Sequence, residues 1–117
     1  MSSLHHSSAG IVLKKRLKEA RLRTGLSQEQ LGVEAGLDLM SASARMNRYE
    51  TGARVPNFAL VEALAKVLNV PTPYLYAADD SMARMIVAFG MLSEDEKMAA
   101  LEFVERAARI SIPSDAP

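Results

Sequence analysis

Ser43 and Asn47 stand four residues apart in the stretch SASARMNRYE, so on a helix they share one face. A carboxamide can make a paired contact to adenine, and a hydroxyl can donate to or accept from several base edges. Arg45 and Arg48 flank that face with cations suited to phosphate or guanine, phosphate being favoured for Arg48. Ala44, between Ser43 and Arg45, is small enough to permit close approach. Each residue also has a plainer reading: Ser43 as a helix cap, Asn47 as a solvated amide, Arg45 and Arg48 as ordinary surface charges.

Catalysis has no comparable constellation. No nucleophile stands with a base, no carboxylate pair falls in a predicted cleft, and no phosphate loop occurs. The chain has no cysteine, and His5 and His6 sit side by side in a polar tail rather than at ligand spacing. No enzyme, cofactor or metal is therefore expected. No apolar run approaches the ~20 residues that span a bilayer, and the opening MSSLHHSSAG lacks the basic start and apolar core of a signal peptide, so a cytoplasmic location is expected.

The 117 residues leave room for one domain and a small appendage. At 49% hydrophobic and 24% charged the balance is globular. Net charge is zero, which taken whole argues against a nucleic-acid partner, yet its distribution is uneven. Residues 1–56 hold nine Lys or Arg against five Asp or Glu, and residues 57–117 hold five against nine. A basic half fits an anion-binding surface and an acidic half would be turned away from it, unless the segregation is chance.

These side chains need helices to position them. Residues 1–9 read as a flexible tail, and Ile11 to Thr24 as a basic first helix stopped by Gly25. Ser27 with Gln30 has capping-box spacing and opens a short second helix that closes at Gly36. A third helix is predicted at about 42–50, capped by Ser41, with Met46 and Tyr49 facing inward. Pro56 and Asn57 announce a fourth, in which Phe58, Val61, Leu64, Ala65 and Leu68 recur at helical steps. Thr72 is the expected cap of a short fifth helix, with Pro73 at its first position and Leu75 buried. Met46, Tyr49, Phe58, Leu64 and Leu68 are assigned to the core.

Two more helices follow. Ser81 to Leu92 carries Met82, Met85, Ile86 and Phe89 on one side, and Glu94 to about Ile110 opens with a Ser93/Glu96 capping box. The apolar positions of the second cover more than one narrow stripe, which predicts contacts on two sides. The pair either packs back on the core or joins two copies as a dimer. The expected organisation is a 1–9 tail, a 10–79 helical domain, an 80–111 helical pair and a 112–117 tail, all-α throughout.

The segments RLKEARLRTGLSQEQLG, RMNRYETGARVPNF and LVEALAKVLNVPTPYLY together resemble the phage-repressor and Cro family, also called the xenobiotic-response-element (XRE) family. The likeness covers residues 11 to about 78. It implies a five-helix lambda-repressor-like domain that binds duplex DNA through a helix-turn-helix, with the third helix in the major groove. It further implies that Gln28 bonds a phosphate, that Arg54 and Asn57 grip the strand beyond the recognition helix, and that Arg21 and Glu50 pair inside the domain. The stretch from Gly36 to Glu50 departs from the family pattern by about four extra residues. Those LDLM-like residues are expected to enlarge the turn.

The implied function is a sequence-specific transcriptional regulator, a repressor in the first instance, binding as a homodimer with no small-molecule effector indicated. An antitoxin-type autorepressor is a near alternative within the same class. A protein-interaction adaptor that uses the fold without DNA is the alternative outside it.

Overall fold

A computed structural model describes residues 8–113, with side chains from Gly10 onward. Its six α-helices are α1 (Ser8–Thr24), α2 (Gln28–Glu34), α3 (Leu39–Thr51), α4 (Phe58–Leu68), α5 (Asp80–Gly90) and α6 (Glu94–Ala108). A 3-10 turn at Thr72–Tyr76 occupies the place of the expected short fifth helix, and no strand occurs among the described residues. The fold is all-α. No described helix is long and apolar enough to cross a membrane. The N-terminal tail read from sequence lies outside the described residues up to 7, and Ser8 and Ala9 already belong to α1. Residues 114–117 likewise lie outside them.

Local chemistry sets most of the boundaries. The Ser27 side chain accepts from the Gln30 backbone N–H at 3.0 Å while the Gln30 carboxamide accepts from the Ser27 N–H at 2.8 Å, which satisfies two otherwise orphan donors. The same reciprocal pair, Ser93 and Glu96, opens α6. Between α2 and α3 the chain reverses at Gly36, whose φ of +104° a side chain would resist.

The cap of α3 is Asp38, whose carboxylate accepts from the Met40 N–H at 3.1 Å. Ser41 is therefore not the cap, and the helix begins three residues earlier than the predicted 42. The extra residues between Gly36 and Glu50 do not enlarge the turn. They add a turn of helix to the front of α3, because an acidic side chain stands where the first free N–H groups need an acceptor.

The core gathers Leu13, Leu17 and Ala20 from α1, Leu31 from α2, Met46 and Tyr49 from α3, and Val61, Leu64, Ala65 and Leu68 from α4. Tyr74 and Leu75 close it from the 3-10 turn. Phe58 is exposed rather than buried, since as the first residue of α4 it precedes the stripe that begins at Val61. Thr72 caps nothing: Pro71 holds the cap position without a side-chain bond, and Pro73 lies within the turn.

The joint between this core and α5 is polar. Arg16, which its sequence neighbours place on a basic surface, is buried. Its Nε donates to the Ala77 carbonyl at 2.8 Å, and its Nη2 donates to the Ala78 carbonyl at 3.2 Å and to Asp80 at 2.9 Å. α5 then buries Ala83 and leans Ile86 and Val87 on the core. Met82 and Met85 remain exposed, and α6 buries none of its residues.

Candidate nucleic-acid interface

Helix α3 has a clear inside. Ala42, Met46, Tyr49 and Glu50 are buried, so Met40, Ala44, Asn47, Arg48 and Thr51 face outward. The close packing of α2 on α3 rests on Gly32: a Cβ there would come within 3.0 Å of Met46 Cγ and 3.1 Å of Ala42 Cβ. A glycine therefore sets how near the two helices of the motif can lie.

An ion pair fixes the far end of α3. Arg21 on α1 donates through Nε to Glu50 Oε2 at 2.6 Å and through Nη2 to Glu50 Oε1 at 2.9 Å, and through Nη1 to the Leu26 carbonyl at 3.0 Å. The bond to Glu50 raises the Arg21 guanidinium above its ordinary pKa, outweighing the opposing cost of burial. The pairing expected of these two residues is thus present, and it consumes their charges within the domain.

Gln28 links the two helices at the surface. Its Nε2 donates to Glu50 Oε1 at 3.1 Å and to Asn47 Oδ1 at 3.3 Å. Asn47 in turn presents its remaining amide groups outward, from an exposed position. Ser43, one turn earlier, is exposed and makes no cap, which removes the plainer reading of that residue.

A cleft of about 170 Å³ lies beside this face, lined by Arg45, Arg48, Tyr49, Arg54 and Val55. The backbone N–H of Arg54 donates to the Arg48 carbonyl at 3.2 Å and so folds the loop after α3 back toward it. Arg45 donates to the Tyr49 hydroxyl at 2.9 Å. The side chains of Arg48 and Arg54 have no hydrogen-bond or ion-pair partner among the described residues, and no acidic side chain lines the cleft. Three cations around a small opening suit an anion of phosphate size.

The structure therefore brings Gln28, Ser43, Ala44, Arg45, Asn47, Arg48 and Arg54 onto or beside one helix. Asn57 stands apart from them as the cap of α4. Its Oδ1 accepts from the Leu60 N–H at 2.8 Å, which leaves its amide nitrogen for an outside partner. Sequence reasoning missed the outward position of Met40, because it placed that residue in a turn. The signal was present in Asp38, an N-cap residue followed by a continuous helical stretch.

The family model for a helix-turn-helix domain matches residues 14–75. Among solved structures, the transcriptional regulator BswR is 45% identical, with a TM-score of 0.75 over 82% of this chain and 97% of that one. No curated protein matched the sequence. Matched through α1 to the 3-10 turn, and nearly half identical to a solved regulator, the chain belongs to the helix-turn-helix domain family as an XRE-like DNA-binding transcriptional regulator rather than an enzyme.

Proposed function

We propose that the chain represses transcription in the cytoplasm by placing α3 in the major groove of an operator. Asn47 and Ser43 read base edges there, and Ala44 allows the helix to sit close. Arg45, Arg48 and Arg54 hold phosphates from the cleft, while the backbone N–H of Gln28 at the start of α2 and the free amide of Asn57 hold them from the flanks; the Gln28 carboxamide, its two hydrogens given to Glu50 and Asn47, orients Asn47 instead. The observation that carries this reading is the division of α3, whose inner polar residue Glu50 is neutralised by Arg21 while its outward side leaves Asn47 and Arg48 exposed. Methylation protection tests the groove. Binding should shield guanine N7, which lies in the major groove, and leave adenine N3 in the minor groove open within the same half-site. The reverse pattern would refute the placement.

α6 supports a homodimer formed through the C-terminal helices. None of its residues is buried in the single chain, yet Met98, Leu101, Phe103 and Val104 are apolar and 43–67% exposed. A second copy would cover that surface and set two α3 helices about one DNA turn, roughly 34 Å, apart. BswR is described as a transcriptional regulator, and its likeness extends over 82% of this chain.

A further inference from the structure

Resting on the reading of α3 as the groove helix, we infer that Met40 is a specificity residue whose side chain packs on the 5-methyl group of a thymine in each half-site. Met40 is 91% exposed, the most exposed large apolar side chain among the described residues. It belongs to the additional first turn of α3, with its backbone fixed by the Asp38 cap. Exposure alone assigns no role, since single apolar side chains on a surface are common; the register does. Met40, Ala44 and Asn47 recur at four- and three-residue steps on the outward face, so two apolar groups precede the amide assigned to adenine.

The thymine methyl is the apolar feature that a base pair presents in the major groove, and alanine and similar groups recognise it by contact. Arg45, Arg48 and Arg54 stand on the same element or the loop that follows it, so charge complementarity favours DNA over an apolar protein surface as the occupant. The leading residues of a recognition helix are also those that approach base edges in this mode of docking. The operator class that results has an A·T-containing half-site, with thymine under Met40 and Ala44 and adenine under Asn47.

Replacing thymine by deoxyuridine removes this methyl and leaves every hydrogen-bonding group in place. The test is a titration of the full chain against its upstream region, with each thymine replaced in turn. Wild type should lose about four-fold in affinity at one or two positions per half-site, the worth of one buried methyl. Met40→Ala should bind the parent duplex about that much more weakly and show no further loss at the position under Met40, while a position under Ala44 keeps its penalty; Met40→Leu should keep the sensitivity at both. Circular dichroism should show both variants folded, as befits an exposed site. Specific binding by wild type with no thymine sensitivity, or a penalty in Met40→Ala that is undiminished at every sensitive position, would overturn the inference and leave the groove reading standing. Absence of any sequence preference in wild type would overturn both.

Discussion

Arg21 holds Glu50 by two hydrogen bonds, at 2.6 and 2.9 Å, across the gap between α1 and the end of α3. The Glu50 side chain is 2% exposed and that of Arg21 12%, so neither charge has water to fall back on. Glu50→Ala should therefore destabilise the domain by about 3–5 kcal/mol, because it strands a buried guanidinium. The double replacement Arg21→Met with Glu50→Leu should recover most of that loss. Urea denaturation of wild type and both variants checks these statements, and a Glu50→Ala midpoint equal to that of wild type would show the pair to be dispensable.

The spacing between α2 and α3 is set at Gly32. A β-branched side chain there must displace Met46 or Ala42, whose atoms already lie at 3.0 and 3.1 Å from the position of a Cβ. Gly32→Val should cost about 1–3 kcal/mol in stability. It should also weaken operator binding beyond what the unfolded fraction explains, since α3 would be tilted from the pose in which its outward residues meet one groove.

Asp80 makes the joint between the DNA-binding core and α5 sensitive to acid. Its hydrogen bond to Arg16, with the nearby charge of Lys15, holds the carboxyl below its ordinary range. A depressed carboxylate pKa stabilises the folded state above the unfolded pKa, and the contribution is lost as pH falls through the folded value. Thermal melts should thus show wild type losing more stability than Asp80→Asn between pH 5 and pH 3, two pH values chosen to bracket an ordinary carboxylate at about 4. Parallel curves for the two proteins would count against this linkage.

The proposed dimer is open to a direct test. Leu101→Glu places a charge on the uncovered side of α6 without touching the core, since Leu101 is 43% exposed. Sedimentation velocity should show wild type as a dimer and the variant as a monomer with an unchanged helical spectrum. Operator affinity should fall in the variant because two linked half-site contacts become one. A monomeric wild type would point instead to a different partner for α6.

The elements that sequence made legible are those whose signals are local. The Ser27/Gln30 and Ser93/Glu96 boxes, the stripe from Val61 to Leu68 and the glycine stops all act within one or two turns, and each lies where its spacing predicts. What was hidden depends on competition or on distance. Asp38 and Ser41 are both good caps, and the earlier one prevails because helix can run on through Leu39 and Met40. Arg16 looks like one more surface cation in a basic helix, and only the approach of Ala77, Ala78 and Asp80, more than 60 residues away, turns it inward. Among the site residues, the outward placement of Asn47 was readable from helical period, while its link to Gln28 required the two helices to be packed.

The most direct test of α3 as the reading helix is a fluorescence titration of wild type, Asn47→Ala and Arg48→Ala against the chain's own upstream region and a scrambled duplex, at two salt concentrations. The account predicts tighter, salt-sensitive binding of wild type to the upstream region. Asn47→Ala should lose about 1–3 kcal/mol on that site alone, and Arg48→Ala should weaken binding to both duplexes with a flatter salt slope. Equal affinity of folded wild type for the two duplexes at both salt concentrations would contradict it.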